Sequence, residues 1–263
     1  MHFLKFKIFE KFAGVIHHGL STRNGGVSGG EKGHEYLASL NLGQFEEDSE
    51  KNLEENYKRF CEAVGVDNGR LVRANQVHKD DILILKGEVD RGNYGLDKPQ
   101  GDHDGFITNV NGLTLSVRFA DCQGVLFFDP VRRVIAAVHA GWRGNVKNII
   151  GKCVRKMVEE FGCSAGDIFV GISQSLGPCH AEFSEPEKEL PDWMKKYVGK
   201  NAGAPDRHVD LWQCSFDQLV AEGVPAENIE IMSRCTVCEN NIFFSSRAGK
   251  GKMGVMAGVI CLK

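Results

Sequence analysis

The chain has 263 residues, 42% of them hydrophobic and 25% charged, which is the balance of an ordinary globular protein. Its 32 basic and 35 acidic residues give a net charge of −3, and the lack of a long basic run argues against a nucleic-acid partner. The apolar runs are too short for a signal peptide or a membrane span, and nine cysteines without a disulfide-framework spacing favour a reduced, cytoplasmic protein.

The first part of the chain is predicted to contain two strands, one helix and a glycine-rich loop. Apolar residues alternate with lysines over 4–8, which is the period of a half-buried strand. Residues 17–30 form the glycine-rich loop. A helix carries an apolar stripe over 53–64 and ends at Gly65, and a strand follows over 81–85.

The middle of the chain combines strand and helix patterns around two residues with chemical potential. Strands are predicted over 113–119, 125–128 and 134–138. A helix with one continuous apolar stripe is predicted over 146–161. Cys122 and His139 therefore stand at two strand ends beside a glycine-containing loop, a position that often carries chemistry in such folds.

The last part of the chain is predicted to add strands over 167–172, 243–247 and 254–262 and helices over 186–197 and after Asp210. Strands and helices alternate only loosely, and no internal repeat or low-complexity linker is visible. The pattern favours a single domain of mixed α and β structure over 1–263.

His78, Cys122 and His139 could form a metal site if the fold brings them together. One thiolate and two imidazoles make a three-ligand zinc set with an open fourth position, which can activate water or hold a substrate oxygen. Their sequence separations match no local metal motif. From spacing alone, a buried cysteine and two ordinary histidines are the more frequent explanation.

Other candidate features are weaker. Arg23 lies in the glycine-rich loop and could clamp an anion, although a mobile surface loop is the more frequent explanation of that composition. Asp102 and Asp104 flank a histidine, a pattern more typical of a tight turn than of a metal site. Cys235 and Cys238 form one Cys-x-x-Cys pair, which without a second pair is weak evidence for zinc or redox chemistry.

Several motifs together resemble one protein family over nearly the whole chain. They are Gln76-Val-His78, Ala120-Asp-Cys122, Val138-His139-Ala-Gly-Trp-Arg-Gly, Ser39-Leu-Asn41-Leu-Gly, Val209-Asp-Leu211, Cys235-Thr236, Phe244-Ser-Ser-Arg247 and the His-Gly-Leu-Ser-Thr-Arg-Asn-Gly-Gly stretch around Arg23. The family is the one long labelled multicopper polyphenol oxidase, or laccase-domain, proteins and later described as purine nucleoside phosphorylases.

This resemblance implies a zinc-dependent enzyme with an α+β fold of mixed sheets covered by helices, similar to a toxin class of Cys/His hydrolases. It implies phosphorolysis of adenosine, inosine and S-methyl-5′-thioadenosine, with adenosine deamination as a second activity. His78, Cys122 and His139 would bind one zinc ion per chain and act in catalysis. We expect Arg23, Asn41, Arg143 and Arg247 to bind the nucleoside or phosphate, and Asp104 and Asp121 are candidates for the general acid or base.

The sequence also leaves alternatives open. Copper is less expected than zinc, because a multicopper oxidase needs dense His-x-His clusters and none of the nine histidines forms such a pair. A metal-free hydrolase could use Cys122 as nucleophile and His139 as base. A peptidoglycan-precursor editing role is a further possibility suggested by the resemblance. Gln123-Gly124 and the Ser173–Ser175 stretch depart from the family pattern, so substrate preference stays open.

Overall fold

Two mixed β-sheets form the centre of the protein in a computed structural model that describes residues 3–87, 93–199, 203 and 205–263. Among these residues the strands are β1 (Ile16–Leu20), β2 (Leu71–Val72), β3 (Ile82–Leu85), β4 (Gly105–Thr108), β5 (Thr114–Phe119), β6 (Gln123–Asp129), β7 (Val134–Ala140), β8 (Phe169–Ile172), β9 (Ile229–Ile231) and β10 (Met256–Leu262). The helices are α1 (Glu50–Val64), α2 (Trp142–Val146), α3 (Ile149–Phe161), α4 (Pro186–Glu189) and α5 (Leu211–Ala221).

The strands divide into a four-stranded and a six-stranded sheet. The smaller sheet has the order β1-β10-β5-β2, in which only the β2–β5 pair is parallel. The larger sheet has the order β3-β4-β7-β6-β8-β9, antiparallel in its centre and parallel in its two outer pairs. β6 and β7 are buried along their whole lengths, as the apolar runs over 125–128 and 134–138 predict.

Apolar side chains fill three layers around these sheets. The largest core lies between the sheets, where residues such as Leu115, Phe128 and Ile260 are fully buried. A second core joins the other face of the six-stranded sheet to α3 and α5. A third packs α1 on the outer face of the four-stranded sheet. The packing therefore places helices outside and two sheets inside.

Local sequence signals fix the ends of the two longest helices. Ser49 caps α1 by accepting a hydrogen bond from the Asn52 amide at 3.1 Å, and Gly65 ends it with a left-handed φ of 86°. Asn148 caps α3 through the Gly151 amide at 3.0 Å, and the left-handed Gly162 ends it. Only glycine adopts such a conformation without steric cost, so these stops are sequence-encoded.

The α+β class with mixed sheets and covering helices is confirmed, while several element boundaries are wrong. The predicted strand over 4–8 contributes one isolated bridge, Leu4 to Leu20, and Lys7–Phe12 forms a 3-10 helix. The predicted strand over 243–247 is a turn segment. The helix predicted over 186–197 breaks before Pro191, because proline provides no amide donor. The helix predicted over 146–161 divides at Asn148, which has left-handed φ.

None of the helices in the described part of the chain combines the length and the apolar composition that crossing a bilayer requires.

Candidate metal centre and pocket

Three separate parts of the chain bring His78, Cys122 and His139 together. Cys122 lies in the connection from β5 to β6, and His139 lies near the end of β7, where it pairs with Gly124 of β6. His78 precedes β3 in a left-handed conformation with φ of 58°. One potential ligand atom from each residue lies within 4.8 Å of the others. We refer to these three residues as the first cluster.

The first cluster needs a residue without a side chain at position 141. A Cβ atom on Gly141 would lie 3.0 Å from the Cys122 sulfur and 3.2 Å from the His78 ring. Both distances are tighter than ordinary contacts, so a larger residue would push the two ligands apart. The glycine that follows His139-Ala140 is therefore explained by the space the ligands occupy.

Asp104 holds two of the three ligands in place. Its carboxylate accepts a hydrogen bond from His139 Nδ1 at 2.9 Å and from the His78 amide at 3.1 Å. It also accepts one from the Lys79 amide at 2.7 Å, and its own carbonyl accepts from the His139 amide at 2.7 Å. Because Nδ1 is used in this way, His139 presents Nε2 towards Cys122, the arrangement typical of metal-bound histidine.

The electrostatics of the cluster favour an ionised thiol. Burial alone would raise the pKa of Cys122, but the charges and hydrogen bonds of His139 and His78 outweigh it and lower the pKa to about 6. Burial would lower the pKa of His139, but the Cys122 charge and the Asp104 hydrogen bond raise it to about 9. Burial opposes ionisation of Asp104 too, yet the contact with His139 and backbone amides keeps its pKa below the usual value.

This donor set fits a single metal ion. One thiolate and two imidazoles with converging donor atoms suit zinc, and the carboxylate behind His139 supplies the orienting contact that such ligands usually have. All three side chains line the same cavity, so a fourth ligand can reach the centre from it. The arrangement is that of an open site rather than a closed structural one.

The cavity above the first cluster has a volume of about 770 Å³, which is within the size range of small-molecule sites. Its apolar lining includes Phe119, Trp142, Phe183 and Met253, and the rings of Trp142 and Phe183 meet edge to face at 5.6 Å. Three cationic side chains also line it, namely Arg118, Arg247 and Lys250. A ligand with an aromatic part and an anionic part suits this combination.

The four residues expected to bind nucleoside or phosphate are not all at this cavity. Arg247 lines it, with its guanidinium donating to the Glu182 carbonyl at 2.9 Å. Arg143 is exposed, and its guanidinium packs on the Trp142 ring at 4.4 Å without itself lining the cavity. Arg23 and Asn41 are also absent from the lining, as far as the described residues show.

Arg23 and Asn41 have structural partners instead. The Arg23 guanidinium donates to the carbonyls of Ala38 at 3.1 Å and Asn240 at 2.7 Å, and it packs over Phe244. Asn41 is fully buried and bonds through its amide to Gly43 and Asp48. These contacts satisfy the side chains and join loops, so the hypothesis that Arg23 holds the substrate phosphate has no geometric support.

Neither acidic candidate is a free general base. Asp104 is fully buried and its oxygens serve His139 and backbone amides. Asp121 has a left-handed φ of 89°, and its carboxylate accepts from the Thr236 hydroxyl at 2.6 Å and the Arg247 amide at 2.7 Å. Asp121 therefore organises the loops around Cys122, and Asp104 orients the ligands.

The departures from the family pattern also have a structural explanation. Gln123 is buried and accepts hydrogen bonds from Ser215 at 2.7 Å and Asn145 at 3.2 Å, so it ties β6 to α2 and α5. A Cβ on Gly124 would lie 2.4 Å from the Phe119 ring. The Ser173 hydroxyl accepts from the Gly124 amide at 2.8 Å. Gln123 lines the cavity, and none of these departures removes a ligand of the first cluster.

The structure reveals residues that sequence reasoning missed. Arg118, which falls within the strand predicted over 113–119, lines the cavity, and Lys250 does so from the segment that follows Arg247. Cys179 and His180 join Cys235 and Cys238 in a second group of potential ligands, whose donor atoms all lie within 4.8 Å of one another. We refer to these four residues as the second cluster. The sequence shows the Cys179-His180 pair and the Cys235-x-x-Cys238 motif. It does not show that they meet, because they lie far apart in the chain.

Comparison with known proteins identifies the family to which this fold and the first cluster belong. The family model described as multi-copper polyphenol oxidoreductase laccase matches residues 17–263, and the chain belongs to that family. Purine nucleoside phosphorylase YlmD of Geobacillus stearothermophilus is 33% identical over 262 residues, covering 95% of this chain and 90% of that protein.

A solved structure of the same relative and one further relative give the structural and functional context. The crystal structure of YlmD from Geobacillus stearothermophilus superposes with a TM-score of 0.85 at 30% identity, covering 100% of this chain and 97% of that chain. Adenosine deaminase RL5, from an unknown prokaryotic organism, is 29% identical over 208 residues, which is 74% of this chain and 74% of that protein. The named relatives thus include a phosphorylase and a deaminase of purine nucleosides.

Proposed function

We propose that this protein is a zinc-dependent purine nucleoside phosphorylase that acts on adenosine, inosine and S-methyl-5′-thioadenosine and also deaminates adenosine. The observation that carries this proposal is the meeting of three elements in one cavity: the open first cluster, an aromatic wall and three cationic side chains. The names of the relatives agree with it. The unpaired state of all nine cysteines supports a reducing, cytoplasmic location.

The aromatic wall suits the purine base. Trp142 and Phe183 offer two rings at an edge-to-face angle of 83°, and Phe119 lines the cavity near Cys122. Aromatic faces bind flat heterocycles by stacking, with a strong contribution from the surface removed from water. Apolar side chains at Leu176, Leu211 and Val255 complete a pocket that excludes water from the base.

The cationic side chains suit inorganic phosphate. Arg247 and Lys250 are exposed at the cavity rim, and Arg118 is half-buried with its guanidinium donating to the Ala74 carbonyl at 3.1 Å. Arginine binds phosphate through paired donors, and several cations together neutralise a dianion. During phosphorolysis a phosphate oxygen bonds to C1′ of the ribose while the bond from C1′ to the base nitrogen breaks. The cations would stabilise the phosphate through this exchange.

The first cluster would hold zinc through Cys122, His78 and His139 Nε2. When bound, zinc supplies a Lewis acid that can polarise a substrate oxygen or activate water. Asp104 keeps His139 in the required tautomer, and Gly141 leaves room for the ligands. Asp121 anchors the Cys122 turn to Thr236 and to the Arg247 backbone, so the metal centre and the phosphate-binding arginine are held in one framework.

Product analysis tests the proposed reaction. Purified enzyme is incubated with inosine, adenosine or S-methyl-5′-thioadenosine, with and without inorganic phosphate. We expect free base and the corresponding sugar 1-phosphate only when phosphate is present, and inosine from adenosine without phosphate. Free ribose forming at the same rate in both conditions would identify a hydrolase and contradict the proposal.

One specific observation favours a second candidate, a metal-free thiol hydrolase. Cys122, His139 and Asp104 form a nucleophile, base and orienting carboxylate in contact with one another, and the pKa of Cys122 is lowered to about 6. A thiolate of this kind could attack a carbonyl or similar carbon directly. Activity that survives complete metal removal would favour this candidate.

A further inference from the structure

The second cluster lies outside the cavity and has no part in the proposed reaction. Cys179 and His180 belong to the segment after β8, and Cys235 and Cys238 belong to the segment after β9. Cys179 and Cys238 are exposed, His180 is half-buried and Cys235 is buried. Exposed thiols beside a histidine and another thiol are uncommon unless they bind a metal or form a disulfide.

The distances within the second cluster suit four ligands around one metal ion. The sulfurs of Cys179 and Cys238 are 3.6 Å apart. His180 Nδ1 lies 3.2 Å from the Cys179 sulfur, 3.6 Å from the Cys235 sulfur and 3.5 Å from the Cys238 sulfur. One nitrogen therefore faces three sulfurs at nearly equal distances.

Tetrahedral zinc geometry gives almost the same separations. With zinc–sulfur bonds of about 2.3 Å and zinc–nitrogen bonds of about 2.0–2.1 Å, a tetrahedron places sulfurs about 3.8 Å apart and sulfur about 3.6 Å from nitrogen. Three thiols and one imidazole also make one of the usual four-ligand sets for structural zinc. A disulfide would instead need the Cys179 and Cys238 sulfurs about 2 Å apart.

Backbone amides add donors to the innermost sulfur. The Gly177 amide donates to the Cys235 sulfur at 3.4 Å, and the amides of Val237 and Cys238 also point to it. Donors of this kind stabilise the negative charge that a thiolate ligand carries. Gly177 cannot be larger, because a Cβ there would lie 3.0 Å from the Cys235 Cβ and 2.9 Å from the Trp212 ring.

We propose that Cys179, His180, Cys235 and Cys238 bind one structural zinc ion, which closes the wall of the substrate cavity. The proposal is independent of the proposed function, and it raises the expected zinc content from one to two ions per chain. With four protein ligands the site has no open position, so its ion would not take part in catalysis.

The ion would join the segment after β8, which lines the cavity, to the segment after β9, which contacts the turn at Asp121. Leu176 and Ala181, which line the cavity, flank Cys179 and His180 in sequence. Thr236, next to Cys235, is fully buried and donates to Asp121 beside Cys122. The second cluster therefore connects through one hydrogen bond to the turn that carries the first cluster.

Elemental analysis of purified protein, expressed with zinc and kept reduced, tests the proposal. We expect two zinc ions in the wild type, one in Cys122→Ser, one in Cys238→Ser and none in the double variant. Cys163→Ser, which alters a cysteine outside both clusters, serves as the control and should keep two. In the Cys122→Ser variant, a chelator should remove the remaining ion and lower the melting temperature.

A matched pair at position 180 separates loss of a ligand from loss of the fold. His180→Cys keeps four ligands, because Nδ1 and a cysteine sulfur reach similar distances from the backbone, so it should retain two zinc ions. His180→Ala should retain one. Cobalt added to zinc-free Cys122→Ser should give the absorption of tetrahedral thiolate-bound cobalt, and the same spectrum should be absent in the Cys122→Ser and Cys238→Ser double variant.

Three results would overturn the proposal. One is a wild type with a single zinc ion that Cys122→Ser loses completely. Another is His180→Ala with the same zinc content as His180→Cys. The third is wild type that, as purified and without metal removal, contains a disulfide between Cys179 and Cys238 by mass spectrometry of its peptides, because the disulfide would take up two of the four ligands.

Discussion

The two clusters differ in burial and in their hydrogen-bond partners. His139 in the first cluster is 3% exposed and hydrogen-bonds to the fully buried carboxylate of Asp104. Cys179 and Cys238 in the second cluster are exposed, and within the described residues they have no carboxylate among their hydrogen-bond partners. The first cluster offers three ligands and opens into an apolar cavity with cationic residues. The second offers four ligands that face one another. The same side-chain types thus suit reaction chemistry in the first cluster and loop stabilisation in the second. The number of ligands and the groups that orient them distinguish the two cases.

Replacing the sulfur of the first cluster gives the largest expected effect. Cys122→Ser should lose the metal of this cluster and reduce nucleoside turnover to background, because two imidazoles alone hold zinc weakly. Cys122→Asp should keep part of both, since a carboxylate is also a zinc ligand. Zinc content and turnover, measured on the same preparations, check this. Full turnover in Cys122→Ser would exclude Cys122 from the reaction centre.

Removing the orienting carboxylate should have an intermediate effect. Asp104→Asn retains the shape but loses a charge that holds His139 and the amides of His78 and Lys79. We expect zinc affinity to fall by roughly 10- to 100-fold, as is typical when a partner of a metal-bound histidine is lost. Competition with a chelating dye measures the affinity. Asp102→Asn, an exposed neighbour, is the control, and equal affinities in the two variants would contradict the role of Asp104.

Removing a cation at the cavity rim should affect phosphate use. Arg247→Ala should reduce the phosphate kcat/KM by roughly 10- to 150-fold, corresponding to a charge-assisted contact of about 1.5–3 kcal/mol. The nucleoside KM should change less, because the base binds at the aromatic wall. Arg247→Lys should recover part of the loss. Steady-state kinetics with varied phosphate tests this, and an unchanged phosphate KM in Arg247→Ala would remove Arg247 from the phosphate site.

The smallest effect on activity is expected at Arg23, which lies away from the cavity. Arg23→Ala loses two hydrogen bonds to carbonyls and a contact over Phe244, so the free energy of unfolding should fall by about 2 kcal/mol. Phosphate dependence should stay at the wild-type value. Urea unfolding followed by fluorescence measures the stability. A large rise in the phosphate KM with unchanged stability would instead restore Arg23 as a phosphate ligand.

The contrast between the clusters also shows what the sequence could predict. The family motifs around His78, Cys122 and His139 predict the first cluster. Its geometry depends on how β5, in the four-stranded sheet, lies against β6 and β7, in the six-stranded sheet. Strong apolar runs located β6, β7 and α3 because burial on both faces or on one stripe leaves a clear pattern. The partition of the strands into two sheets depends on long-range pairing, such as β1 with β10, which no local pattern encodes.

Local patterns fall short where tertiary contacts decide the structure. Leu4, Phe6 and Ile8 alternate like a strand, but Leu4 forms only one bridge, to Leu20, and the chain from Lys7 forms a short 3-10 helix that packs against β8 and β9. The Cys235-x-x-Cys238 pair alone does not predict a four-residue cluster, because Cys179 and His180 lie more than fifty residues earlier in the chain. The glycines around Arg23 are typical of an anion-binding loop in the sequence, and in the structure they let backbone segments approach one another: a Cβ on Gly26 would lie 2.2 Å from the Ser39 carbonyl.

The most direct test of the first cluster as a metal-dependent reaction centre is turnover before and after metal removal. Wild type is stripped with a chelator, its zinc content is measured, and the release of base and ribose 1-phosphate from inosine and phosphate is followed before and after zinc is restored. We predict no turnover in the stripped enzyme and recovery with added zinc, while Cys122→Ser stays inactive throughout. Full turnover by enzyme confirmed to be zinc-free would contradict this and assign the reaction to the Cys122 thiolate with His139 as its base.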